Sequence, residues 1–271
     1  MKLYIDSRFR TPGSQSGSDF SIELLEPLSL PPQCKCRVTN LTVPFSWYSV
    51  EALNQFLYVS EKNASNVQVY RVLEIPPGQY DGPRLATAIG TAINTGSVYG
   101  ATPYVVQYSD QRGTISITAA APGREFTLYD DITLRTMVPW PFSGGGSALM
   151  PQSFNRNLRV VQTQTFNFAS PYVSEFVDLL GIKVLYLTST SLGNLSNIGP
   201  RLGQRSCLTS MPVTSSFGYV AVQDAHSGEL QDTDCSGQLL KVLDFRLEDA
   251  TGAVVPLHGL DLSFTLSFDV R

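Results

Sequence analysis

Proton transfer at neutral pH runs most often through histidine, and this chain of 271 residues has two. His226 lies in the polar stretch Asp-Ala-His-Ser-Gly at 224–228, and His258 lies in Pro-Leu-His-Gly at 256–259, just before the last apolar run. Both read as loop residues. A serine nucleophile wants a Gly-x-Ser-x-Gly elbow, which does not occur. The glycine-rich tract at 143–147 lacks both a following helix and the lysine of a phosphate-binding loop. Acidic residues gather at Asp130 and Asp131 and at Glu229, Asp232 and Asp234. Calcium takes six to eight oxygens, more than these spacings supply in a fixed order. Four cysteines remain, Cys34, Cys36, Cys207 and Cys235. Cys34 and Cys36 alternate, so on a strand they share a face, either as a metal or redox pair or as small core hydrophobes. With no Cys-x-x-Cys and no histidine at zinc-ligand spacing, the core reading is preferred. The expectation is no catalytic residue, no cofactor site, no metal ligand and no enzyme.

What the sequence offers instead is contact chemistry. Asp6, Arg8 and Arg10 alternate with apolar residues near the start, and can pair with one another or reach into a neighbour. Phe-Ser-Trp-Tyr at 45–48 and Val-Pro-Trp-Pro-Phe at 138–142 concentrate aromatics. They suit either a ligand platform or subunit contact, or a loop packed over the end of a sandwich. The candidate interface set is therefore Asp6, Arg8, Arg10, Trp47, Tyr48, Trp140 and Phe142.

The elements that must position them are mostly strands. Residues 20–24, 34–43, 56–59, 67–73, 104–108, 114–118, 184–187, 207–213, 218–222 and 239–247 alternate or run apolar at strand length. In 34–43 the alternation slips once: Cys34, Cys36 and Val38 are followed by Leu41 and Val43. The last strand is the clearest, with Leu262, Phe264, Leu266, Phe268 and Val270 on one face and polar residues on a face expected to be wet. One helix is expected, from Pro83 through Leu85, Ala88, Ile89, Ala92 and Ile93 to a stop at Asn94-Thr-Gly, and a short second one over 172–181. Residues 1–18, ending in a Gly/Ser spacer, read as a flexible arm. The helix sits in a segment whose texture differs from the strands on either side. That gives a mainly β fold in which a single jelly-roll sandwich, 19–55 and 183–271, carries a small α+β insertion, 56–182.

Composition narrows the function classes. Charged residues make up 15% of the chain against roughly 25% in a typical soluble protein, as suits a surface covered by neighbours. The net charge of −4 and the lack of a basic tract argue against sequence-independent binding to nucleic acid. No apolar run reaches the length of a membrane span, and the first residues lack a signal-peptide apolar core.

The order of the pieces resembles a known family. Tyr-Ile-Asp-Ser-Arg-Phe-Arg at 4–10, the Gly/Ser spacer, Asp-Phe-Ser-Ile-Glu-Leu at 19–24 and Val-Thr-Asn-Leu-Thr-Val-Pro at 38–44 followed by Tyr48 are similar to the opening of penton (minor capsid) proteins. These are the pentons of Polinton-like, adintovirus, adomavirus and virophage-type DNA viruses. Ile-Pro-Pro-Gly-Gln-Tyr at 75–80, the helix with Leu85 and Ile89, and Leu-Leu-Gly at 179–181 resemble their inserted domain. Tyr-Leu-Thr-Ser at 186–189 and residues 243–252 match in style. The resemblance covers nearly the whole chain as spaced patterns. It implies a virion protein, assembled inside the host cell, that closes icosahedral vertices as a homopentamer beside the major capsid protein. A host receptor is a further candidate partner, and no cofactor and no direct sequence-specific contact with nucleic acid are expected. A receptor- or glycan-binding β module, a fibre head or lectin, is the alternative, and Trp140 and Phe142 would serve it.

Overall fold

The computed structural model describes residues 1–52, 54–142, 155–158, 160, 162–192, 206–223 and 232–270. The chain divides into two compact units, Met1–Trp47 with Ile182–Arg271, and Tyr48–Gly181. The strands before the second unit are β1 (Lys2–Asp6), β2 (Asp19–Ser29) and β3 (Cys34–Pro44). The second unit carries β4 (Phe56–Lys62), β5 (Gln68–Glu74), α1 (Gly82–Asn94), β6 (Tyr104–Ser109), β7 (Thr114–Ala119), β8 (Glu125–Leu128), α2 (Asp131–Thr136), α3 (Asn155–Leu158), β9 (Gln164–Asn167) and β10 (Tyr172–Val173). The first unit resumes with β11 (Val184–Ser189), β12 (Ser206–Pro212), β13 (Val220–Gln223), β14 (Thr233–Asp234), β15 (Leu239–Glu248) and β16 (Ser263–Val270).

The first unit is a jelly roll by strand order. One antiparallel sheet runs β1-β16-β3-β13, with β14 also on β3, and the other runs β12-β11-β15-β2. Followed along the chain, β1, β3, β13, β14 and β16 fall in one sheet and β2, β11, β12 and β15 in the other. The path thus changes sheet at every step except β11 to β12 and β13 to β14, the double Greek-key path of a jelly roll. The core between the sheets takes Ile5, Val38, Leu41, Phe264 and Leu266 from the first, and Phe20, Leu185, Leu187, Leu243 and Phe245 from the second. Phe245 meets Phe20 at 5.5 Å and Phe264 at 4.9 Å between ring centroids.

The slip in the β3 alternation is a β-bulge. Thr39 and Thr42 of β3 pair with Thr265 and Ser263 of β16, so two residues, Asn40 and Leu41, stand opposite one, Phe264. Asn40 takes φ 55°, a conformation that asparagine tolerates better than most residues. The extra residue returns Leu41 and Val43 to the face already occupied by Cys34, Cys36 and Val38, and all five are buried.

Three expectations are corrected. Residues 1–18 are not a flexible arm. Lys2–Asp6 is the edge strand β1, paired with β16 in register Tyr4 to Thr265 and Ile5 to Phe264, because burying Ile5 requires it. The Gly/Ser spacer folds back on β2, where Thr11 N–H donates to Ser21 O (2.8 Å), Ser21 N–H to Ser14 Oγ (3.0 Å) and Asp19 N–H to Ser16 Oγ (3.1 Å). Short hydroxyl side chains bonding nearby amides turn a linker composition into an ordered loop. The outward face of β16 is also not wet throughout: Thr265 and Ser267 are buried, since the strand lies between β1 and β3. Residues 172–181 are not a helix. The amides of Ser174, Val177 and Asp178 donate to Ile115, Gly113 and Asn157 carbonyls, so their hydrogen bonds go to other elements rather than to a helical ladder.

The second unit packs two small sheets, β5-β4-β8-β9 and β10-β7-β6, with α1 against β6. Asp81 caps α1 by accepting from Arg84 N–H at 2.8 Å, and Leu85, Ala86, Ile89 and Ile93 form its buried face. At the far end Arg71 donates to the carbonyls of Ile93 (3.0 Å) and Thr95. It also pairs with the fully buried Glu61 at 2.8 Å, whose carboxylate accepts from Ser97 Oγ and Val98 N–H at 2.9 and 3.0 Å. A cation on the last carbonyls of a helix offsets its dipole, and the four partners satisfy an otherwise costly buried pair.

Candidate functional site

Each residue of the candidate interface set has a defined place. Asp6, at the end of β1, accepts from the Arg8 backbone N–H at 2.9 Å and from its guanidinium at 2.6–3.1 Å. Those hydrogen bonds from Arg8 hold the Asp6 carboxyl below its ordinary pKa. Arg10 donates to Asp261 at 2.8 Å and to the Ser7 carbonyl at 2.9 Å. Asp261 also accepts from Ser7 Oγ at 2.8 Å, and Ser7 Oγ accepts from Leu262 N–H at 3.1 Å. The charged residues of the first turn therefore pair within the chain, and tie it to the start of β16. Around them Tyr4 and Phe9 stand 81% and 75% exposed.

The aromatic candidates divide. Trp47 is fully buried, stacked on Phe45 at 4.3 Å, and belongs to the core of the first unit. Phe142 is buried among Tyr58, Tyr70 and Tyr129 at 5.2–5.5 Å, each contact edge-on. In both the ring contributes its area inside the chain, the loop-packing alternative of the two the sequence left open. Tyr48 and Trp140 are half-buried. Tyr48 N–H donates to Glu51 at 2.7 Å, and Trp140 leans on Tyr58 and Phe142 at 5.7 and 5.1 Å. With Phe142 turned inward, the Trp140–Phe142 pair does not form an open aromatic platform of the kind a glycan stacks on.

His258, Asp130, Asp232 and the cysteines each have a defined local setting. His258 sits in a turn at φ 49°, with Nδ1 2.7 Å from the Ser46 carbonyl, so that nitrogen carries the proton. Asp130 is the N-cap of α2, accepting from Ile132 and Thr133 N–H, from Thr133 Oγ1 at 2.6 Å and from Thr163 Oγ1 at 2.7 Å. Burial would raise its pKa, but the hydrogen bonds from Thr133, Thr163 and Ile132 outweigh it and hold the carboxyl at about 2. Asp232 pairs with Arg37 at 3.1 Å and Lys35 at 3.8 Å. All four cysteines are buried and form no disulfide with one another. Among the described residues no three His, Cys, Asp or Glu side chains converge to hold a metal ion, and no helix is long and apolar enough to cross a membrane. His226, Glu229 and the glycine tract at 143–147 lie outside the described residues.

The features that sequence reading missed are the exposed edges of the β1-β16-β3-β13 sheet. At one edge are Tyr4, Phe9 and Leu260; at the other are Tyr219, just before β13, and Val220 and Val222 on it, all at least half exposed. The alternation at 218–222 identifies the strand but leaves open which face looks out.

No protein-family model and no curated protein matches the sequence. A solved structure does. The chain resembles the mavirus penton protein over 100% of both chains, with a TM-score of 0.54 and 9% identity. The fold of the chain is similar to that of this penton protein. At that identity the likeness speaks for the architecture, carried here by the strand order of the first unit.

Proposed function

We propose that this protein is a capsid structural protein that forms the pentameric capsomer at icosahedral vertices, contacts the major capsid protein there, and belongs with the penton proteins of Polinton-like, adintovirus, adomavirus and virophage-type viruses. The observation that carries the reading is the match of fold along the full length, both units included, to the mavirus penton protein. That the titratable groups described above serve as caps and turn anchors supports a role in assembly rather than turnover.

Cyclic closure repeats one heterologous interface, so each copy must present two different, complementary surfaces. Opposite edges of one sheet supply such a pair. The first is Tyr4, Phe9 and Leu260, with the ion-paired Asp6, Arg8 and Arg10 beside them; the second is Val220 and Val222 on β13 with Tyr219 just before it. Tyr48 and Trp140, half-buried in the isolated chain, remain candidates for a further contact. An edge strand with exposed apolar residues is an open template for another chain unless something covers it, and a neighbouring subunit is that cover. The test is the mass of the purified chain by light scattering, with negative-stain images of the same sample. Five-membered rings that Val220→Lys or Tyr4→Asp converts to monomers fulfil the proposal. A wild-type monomer that also fails to bind co-expressed major capsid protein overturns it.

A further inference from the structure

We infer that Cys36 and Cys235 are a site of oxidative modification, closing to an intrachain disulfide when the protein meets a low-molecular-weight disulfide such as oxidised glutathione. The two sulfurs lie 3.1 Å apart. A disulfide bond is about 2.05 Å long, so closure needs a shift of about 1 Å. The backbone already holds the partners side by side. Cys36 pairs with Thr233 of β14, and Cys235 N–H donates to the Cys34 carbonyl at 2.9 Å. Cys34 faces the same core, and Cys207 stands in the opposite sheet, on β12.

The exchange balances in two steps. A thiolate of the pair attacks one sulfur of glutathione disulfide, forming a mixed disulfide and releasing one glutathione thiolate, which takes up the proton lost. The second cysteine attacks the protein sulfur of that mixed disulfide, closing the Cys36–Cys235 bond and releasing a second glutathione. Two protein thiols are oxidised and one small disulfide is reduced to two thiols. Access comes by local opening, because β14 holds β3 over only two residue pairs and such short edge elements open at lower free energy than the core. The rate is slow at neutral pH. Cys36 is kept protonated by the hydrogen bond it shares with Cys235 and by burial; the thiolate is the attacking species, so oxidation accelerates as pH rises. The bridge spans 199 positions and encloses the whole second unit. It remains open in a reducing cytosol and closes outside the cell.

The test uses the full chain, purified reduced, incubated with oxidised glutathione at pH 8, then alkylated in denaturant, digested and mapped by mass spectrometry without reductant. The expected result is one intrachain linked peptide joining Cys36 to Cys235, with Cys34 and Cys207 alkylated. A rise of about 5 °C or more in melting temperature over the reduced chain should accompany it. Cys34→Ala keeps the link and Cys235→Ala loses it. Four alkylated cysteines after oxidation, or a link through Cys34 or Cys207, overturns the inference. The wild-type map decides even if a variant fails to fold.

Discussion

At the scale of single residues, polar side chains here stabilise through the backbone groups they satisfy. Asp130 contributes through its depressed pKa. The carboxylate form is favoured on folding, so the stabilisation is complete above the unfolded carboxylate range near pH 4 and is lost as pH falls through about 2, an effect of about 2 kcal/mol. Urea midpoints between pH 5 and 2 should show that loss in the native chain and a flatter profile in Asp130→Ala, which also loses the α2 cap. Glu61 and Arg71 form a pair in which either partner alone is a buried or half-caged charge. Arg71→Met should cost about 3–5 kcal/mol, and Glu61→Gln with Arg71→Met together should cost less than the sum of the two single changes, as a double-mutant cycle in urea would read. Neither role is legible in the sequence. Thr163, which completes the Asp130 cap, and the Glu61, Ile93 and Thr95 partners of Arg71 are brought to them only by tertiary packing.

At the scale of elements, pattern and structure agree where a face is fully committed to a core. The β3 slip is visible as a break in alternation and is a bulge at Asn40. The α1 spacing names Leu85, Ala88, Ile89, Ala92 and Ile93, of which the three large residues are buried and the two alanines partly so. Agreement fails where composition stands in for geometry. A Gly/Ser spacer says linker, yet Gly17 is held so close to the Leu260 carbonyl that a Cβ would lie 2.6 Å from it. Gly17→Ala must push the loop off the turn that precedes β16, and should lower stability by about 1–3 kcal/mol, read as a fall in melting temperature. Apolar spacing at 172–181 suggests a helix, but four apolar residues over one or two turns cannot outweigh hydrogen bonds that β7 and Asn157 offer to the same amides. Aromatic clusters at 45–48 and 138–142 announce packing without saying against what, and Trp47 and Phe142 pack inward.

At the scale of the whole molecule, the architecture follows from strand order. A jelly roll leaves edge strands that a soluble monomer must protect and an assembly can use, and here the exposed tyrosines and valines sit on two such edges of one sheet. If those edges meet between copies, Val220→Lys and Tyr4→Asp in separate chains should each fail to close rings alone. Mixed together they should recover at most chain-terminated dimers joined through the one unaltered edge of each, visible by mass photometry. The measurement that tests the central claim most directly is cryo-electron microscopy of particles made by co-expressing this chain with the major capsid protein of the same virus. The account predicts five copies of the two-unit chain around every fivefold axis, with β1 of one copy beside β13 of the next. Closed shells whose vertices are filled by another protein, or by nothing, would contradict it.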